Sequence, residues 1–207
     1  MFIWFLLGGI IPTIITFFSA LFLALIISLF FTYIIYYKKG LLSFICNFFI
    51  NFFRSIPLIC HFFLFIFLIP NHWLASILIL GMNSSAYFSS IWLDSLNKIH
   101  IQYIYTIKTL HLCNFIAFNH ILLPMIFHET KYSIENEILN LLKDTSIISF
   151  FGISEIMQRV QIIGYSNLDF FTPTLCAVII YYLLSLIQLH IINKMIFYAI
   201  LWFLYYI

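Results

Sequence analysis

The sequence predicts an all-α, polytopic membrane protein with about five transmembrane helices and one polar loop on the cytoplasmic side. Three observations lead there. Hydrophobic residues make up 64% of the 207 residues and charged residues 8%, whereas a soluble domain carries roughly 25% charged residues. The apolar residues come in runs long enough to cross a hydrocarbon core, and the chain has room for about five helices of ~20 residues with their connections. The few lysines gather at alternate breaks between the runs, the bias that orients a membrane protein. A net charge of +2 on so few ionisable groups carries no sign of nucleic-acid binding.

The first run, 2–36, ends at Lys38, Lys39 and Gly40. It is too long for the apolar core of a signal peptide and no small-residue cleavage site follows it, so a retained span is expected over 12–36, with a leading segment near the outer surface. The Lys pair assigns its end to the cytoplasm and the N-terminus to the outside. The second run, 41–69, holds one charge, Arg54, close to Pro57. Proline lacks a backbone donor and breaks a helix. The expectation is an interfacial helix over 41–52, a kink, and then a membrane-crossing part. An intramembrane Arg needs a partner, a wet cavity or room to snorkel, and the sequence leaves these open.

After the turn Pro70-Asn71-His72, a third span is expected over 73–93. Its centre, from Gly81 to Ser90, is rich in small and hydroxyl residues. Such residues let membrane helices approach closely, and Asn83, Ser84 and Ser85 can hydrogen-bond across the contact. Packing alone is the plainer reading of the patch. A fourth span over 122–142 carries His128, Glu129, Lys131, Glu135 and Glu137. Lys131 and Glu135 are four apart and can pair on one helical face. Groups of this kind face protein or water rather than lipid, so this helix lines either a translocation path or an oligomer interface.

The stretch 143–169 is too polar to span, and Gly152 and Gly164 break it. Ser154, Glu155, Gln158 and Arg159 suggest a short amphipathic helix on the outer side. A last span covers 170–192, followed by Asn193 and Lys194 at its inner end. The apolar tail 195–207 is too short to cross alone and is expected along a neighbour or the membrane surface. Inner segments then hold Lys38, Lys39, Lys98, Lys108 and Lys194, while Arg159 is the outer cation, and the C-terminus is cytoplasmic. The cysteines, Cys46, Cys60, Cys113 and Cys176, are scattered without C-x-x-C spacing and read as small apolar core residues, not as a metal or redox site.

The polar stretch 94–124 separates the third and fourth spans. It holds Lys98 and Lys108, with His100, His111 and His120, and must face water. Tyr105, Lys108 and His111 recur at helical spacing, and Ile104, Ile107 and Leu110 form a second, apolar stripe. A short helix here either docks a soluble partner or lies on the inner membrane face.

Several short segments carry a resemblance. Arg54-Ser55-Ile56-Pro57-Leu58 resembles the Arg-Gly-Thr-Pro-Leu of the polar amino-acid ABC importer permeases, the family of histidine, arginine and glutamine permeases. Asn83-Ser84-Ser85-Ala86-Tyr87 is similar to that family's Asn-Ser-Ala-Ala-Tyr. Asn136-Glu137 and Lys143-Asp144-Thr145-Ser146 match its Asn-Glu and Lys-Asp-Thr-Ser in the same spacing after Leu123-Pro124, and Gly152-Ile153-Ser154-Glu155 resembles its Gly-Val-Ala-Glu. The segments follow in the family's order over about residues 8–195 of a single transmembrane domain. The family's cytoplasmic loop carries Glu-Ala-Ala and then Gly at a fixed distance before Leu-Pro. Counting back from Pro124 assigns the Glu-Ala-Ala to Tyr105-Thr106-Ile107 and the Gly to His111. The length is kept and the letters are lost.

What the resemblance implies is a permease subunit that forms the path for a polar amino acid by alternating access. Its partners would be an ATP-binding ABC subunit, a second permease subunit (a homodimer or heterodimer) and an extracytoplasmic binding protein, in a bacterial inner membrane. Tyr105, Thr106, Ile107, Lys108, Leu110, His111, Leu123 and Pro124 would form the coupling stretch to the ATPase. Asn83, Ser84, Lys131, Glu135, Asn136 and Glu137 would line the substrate path. Arg54, Pro57, Asp144, Thr145 and Ser146 would be structural. No G-x-x-x-x-G-K-[ST] occurs, so the expectation is a chain without cofactor, ATP being bound by the partner. An intramembrane enzyme is disfavoured because Tyr132 stands where H-E-x-x-H needs its second His after His128-Glu129. The altered loop motivates one alternative, a decayed, uncoupled permease acting as a membrane scaffold or leak channel.

Overall fold

The computed structural model describes residues 2–38, 40–99, 105, 109 and 113–206, and within them every regular element is helical. The first run forms α1 (Phe2–Leu7) and α2 (Ile10–Tyr37), parted at Gly8-Gly9. Along α2 two stripes repeat every three or four residues. Thr13, Thr16, Ala20, Ala24, Ser28 and Thr32 are wholly buried, while Ile11, Ile15, Phe18, Phe22, Ile26 and Phe30 are exposed. The small side is turned to protein and the large apolar side is left for lipid, where small side chains permit close helix approach. The hydroxyls do not go unsatisfied: Thr13 Oγ1 donates to Gly9 O at 2.9 Å and Thr32 Oγ1 to Ser28 O at 2.7 Å.

The second run becomes α3 (Leu41–Ser55) and α4 (Leu58–Ile66), bent by 108° at Ile56-Pro57. This corrects the expected division of labour. The helix runs on to Ser55, and α3 packs against the spans: Phe49 meets Phe31 of α2 edge to face, with ring centroids 4.9 Å apart. The expected crossing part, α4, has nine residues, about 14 Å at 1.5 Å per residue, too short to cross alone.

Helix α5 (His72–Lys98) is the centre of the molecule, touching α2, α3 and α4. Asn71 caps it, its Oδ1 accepting from Trp73 N at 3.1 Å and Leu74 N at 3.2 Å. Ala75, Ser76, Ile79, Leu80, Gly81, Ser84, Ser85, Phe88 and Trp92 are all buried. A Cβ on Gly81 would meet the Leu23 side chain at 2.7 Å, so α2 and α5 touch here because this residue lacks one.

Beyond residue 112 come α6 (Asn114–Ala117), a π turn (Phe118–Leu122), α7 (Leu123–Glu129) and α8 (Lys131–Asp144). The expected fourth span is thus not one rod but two helices parted at Thr130, whose backbone (φ −98°, ψ 7°) leaves the helical region. Its second half is polar, and α8 is packed against α2, α5 and α10. A 3₁₀ helix (Thr145–Phe151), ended by Gly152 at φ 79°, leads to α9 (Ile156–Asn167) and α10 (Phe171–Tyr206). Among the described residues three helices are long and apolar enough to cross a membrane: Trp4–Tyr37, His72–Lys98 and Phe171–Ile192. The bent pair α3–α4 is a fourth if counted as one span. The sequence-based count of about five is met only by including the two broken segments. The tail is a second correction. Nothing after Pro173 interrupts the helix, no Gly or Pro occurring there, so α10 continues as one rod of 36 residues, about 54 Å.

The cysteines correct a third expectation. Only Cys46 is buried, Cys176 is intermediate, and Cys60 and Cys113 are exposed.

Candidate functional site

The expected path residues lie on α5 and α8, two helices that pack together. Asn83 and Ser84 are buried on α5, and Glu135 and Glu137 are buried on α8, at 8% and 7% exposure. Asn136, between the two glutamates, is exposed. Residues two apart on a helix point some 200° apart, so burial of both glutamates requires α8 to be covered on two sides, as it is by α5 and α10. Ser84 and Asn140 face the Glu137 carboxylate, although Ser84 Oγ makes no hydrogen bond of normal length. Lys131 Nζ lies 4.0 Å from Glu135 Oε1, the i,i+4 pair read from the sequence. The lysine also sits over the Tyr132 ring at 5.7 Å.

At the other motif pair, the Arg54 guanidinium lies 5.8 Å above the ring of Tyr87. Segments 54–58 and 83–87, remote in sequence, are thereby in contact. Pro57 occupies the N-cap of α4 and produces the bend.

Leu123 and Pro124 have a local reason. Pro124 cannot donate to the carbonyl four residues back, and the chain answers with the π turn: Leu123 N donates to Phe118 O, five residues back. Of the rest of the coupling stretch, Tyr105 is helical and exposed. Thr106, Ile107, Lys108, Leu110 and His111 lie outside the described residues.

Asp144 closes α8, half-buried, and Thr145 and Ser146 open the 3₁₀ turn, where Thr145 Oγ1 donates to Leu142 O and Ser149 Oγ to Ser146 O, both at 2.7 Å. Glu155, wholly buried, then caps α9 by accepting from Gln158 N at 2.8 Å. It lies in the connection outside the membrane-crossing helices, and burial pushes its carboxyl up to about 7 despite the hydrogen bonds it accepts. Arg159, expected on the outer side, donates from Nη1 to Phe5 O at 2.6 Å and covers the Phe5 ring at 4.8 Å. Sequence reading missed two members of this corner, Tyr181 and the Gly8-Gly9 turn. The signals were there: a tyrosine pair, Tyr181-Tyr182, set between the aliphatic runs 177–180 and 183–184, and paired glycines in a span.

Residues 24–197 match the family described as binding-protein-dependent transport system inner membrane component. The GlnP permease protein of Rickettsia typhi, named for a glutamine transport system, is 28% identical over 157 residues, 72% of each chain. The arginine transport system permease protein ArtQ of Bacillus subtilis is 27% identical over 150 residues, 69% of this chain and 68% of its own. Among solved structures, an amino acid ABC transporter crystallised with histidines superposes with a TM-score of 0.80 at 19% identity, covering 92% of both chains. The MetNI methionine ABC transporter, in an inward-facing form, gives 0.73 at 18%, covering 92% of this chain and 96% of that one. The chain therefore belongs to the family of binding-protein-dependent transport system inner membrane components.

Proposed function

We propose that this permease subunit carries a polar amino acid inward across a bacterial inner membrane, working with a separate ATP-binding subunit, a second permease subunit and an extracytoplasmic binding protein. The observation that carries this reading is the family match over 24–197. Two further findings agree with it: relatives are named for glutamine and arginine transport, and the fold is shared with an amino acid ABC transporter. The polar side chains of these two helices, Asn83, Ser84, Lys131, Glu135, Asn136 and Glu137, offer the polar groups that a hydrophilic solute needs inside a membrane. The chain itself holds no cofactor in this reading, and ATP belongs to the partner. The decayed, uncoupled alternative has no support from the fold or the comparisons.

The N-terminus is taken as outside and the C-terminus as cytoplasmic, on the distribution of lysines. The stretch around Ile107 docks the ATPase. Two experiments test this. Cysteines placed at His100 and Asn167 should label from opposite sides, and labelling from one side alone would overturn the topology. Ile107→Glu should abolish capture of the ATP-binding subunit or uncouple hydrolysis from uptake while leaving the chain inserted. If the ATPase still binds and uptake persists, the docking assignment is wrong.

A further inference from the structure

Helix α3 has three faces. Cys46, Ile50 and Phe53 are buried, the last two against α2 and α5, while Leu41, Phe44, Ile45 and Phe48 form an exposed apolar face. The third face is polar. Ser43, Asn47, Asn51 and Arg54 follow at i, i+4, i+8 and i+11, on one side of the helix, and the last three are exposed. This polar line extends about 17 Å. It starts near the Lys38 end of α2 and climbs beside α2 and α5, as the Phe31–Phe49 and Tyr87–Arg54 contacts show.

The place of Arg54 along α5 follows from its partner. Tyr87 lies 15 residues from the start of α5 and 11 from its end, about 22 Å and 17 Å along the axis. Arg54 is therefore held alongside α5, about 10 Å along the axis from Asp94, where the polar stretch begins. The two ion pairs among the described residues are His128–Glu129 and Lys131–Glu135, and no described carboxylate lies within 4.0 Å of Arg54. One face of the guanidinium is held on the Tyr87 ring, a contact that satisfies none of its N–H donors. A cation facing lipid beside the spans is costly, and the polar line of Ser43, Asn47 and Asn51 that leads to it from the Lys38 end is a surface along which water can reach it.

We propose that the polar face of α3 lines the solute route and that Arg54, at its inner end, receives the carboxylate of the transported amino acid. The planar fork of a guanidinium matches a carboxylate with two parallel N–H···O bonds, and every α-amino acid carries that group whatever its side chain. This rests on the reading of the chain as an amino-acid permease. It adds a recognition residue from the second apolar run, on a helix apart from α5 and α8.

The test uses the full chain in its reconstituted transporter, with the native cysteines replaced by serine. First, Asn51→Cys is titrated in proteoliposomes with an anionic and a cationic methanethiosulfonate reagent. The expected result is reaction from the aqueous phase, with the anionic reagent favoured about tenfold relative to a free thiol. That preference should vanish when Arg54→Gln is added. No reaction at Asn51→Cys, or a preference unchanged by Arg54→Gln, would overturn the site, and the reactivity with Arg54 present decides the matter even where Arg54→Gln fails to insert. Second, uptake of a mixture of the twenty labelled L-amino acids is measured. Arg54→Gln should raise KM for the accumulated amino acid at least tenfold, Arg54→Lys should recover part of it, and the permease pair should stay assembled. Dissociation of the pair would instead make Arg54 an interface charge and refute the proposal. If the unmodified transporter accumulates no amino acid, the amino-acid reading itself has failed. If it does and Arg54→Gln leaves KM within twofold, only the site has.

Discussion

The Tyr181 hydroxyl donates to Glu155 Oε2 at 2.9 Å, tying the last long helix to the cap of α9. The same carboxylate holds Gln158 N through its other oxygen. One buried group thus fixes both the start of a helix and the seat of its neighbour. Tyr181→Phe removes the donor from a buried carboxylate and should lower stability by about 1–3 kcal/mol, read as a lower unfolding midpoint in detergent. Tyr181→Phe with Glu155→Gln should lose less than the two single effects added together, because the two residues share one bond.

Glu155 also makes a pH prediction. Its carboxyl is raised from 4.5 to about 7 by burial. In the window between those values the folded state binds a proton that the unfolded state has released. Stability is therefore fully present at or below about pH 4.5 and falls as pH rises to about 7, levelling off beyond. Glu155→Gln should flatten that part of the profile while keeping the cap on Gln158 N. Thermal unfolding in detergent between pH 4.5 and 8 measures it. A slope unchanged in Glu155→Gln would assign the dependence to another group.

Lys131 and Glu135 make a pair with unequal surroundings, the lysine one-third exposed and the glutamate nearly buried. Lys131→Leu leaves Glu135 charged without its cation and should cost about 1–3 kcal/mol. Lys131→Leu with Glu135→Leu removes both charges and should be milder. A double variant worse than the single would show that the glutamate has another essential partner.

Two glycines test how α1 and α2 are seated. A Cβ at Gly9 would lie 2.8 Å from Ile156 Cα and N, which are backbone, whereas a Cβ at Gly81 would meet the mobile end of Leu23 at 2.7 Å. Gly9→Ala should cost about 2–3 kcal/mol and free α1 from α9, while Gly81→Ala should cost nearer 1 kcal/mol because Leu23 can turn aside. Limited proteolysis near residue 8 and unfolding midpoints separate the two.

Pro124→Ala returns an N–H to the helix and should let 118–122 close with ordinary i→i−4 bonds. Slower amide exchange over that segment is the direct readout. Because the π turn adjoins the stretch assigned to ATPase docking, solute moved per ATP should fall in the same variant.

The sequence by itself determined the class and most of the helix limits, because a bilayer acts on composition. Apolar length, Pro57, the turn at Pro70-Asn71-His72 and Gly152 are local devices that work without a partner, and each marks a helix start, bend or end where it was read. The Lys131–Glu135 pairing was legible for the same reason, since four residues on one helix are neighbours however the rest folds. Only the tertiary structure decided which polar residues matter together. Arg54 stood alone in its apolar run until the fold set it over the Tyr87 ring. Tyr181 showed no purpose until Glu155 arrived from 26 residues away. The tail 195–207 was judged by its length, although a helix without a breaker simply continues. Partnership between distant residues arises from how helices pack on α5. Helical periodicity in one chain reports which residues share a face, but not which face meets which.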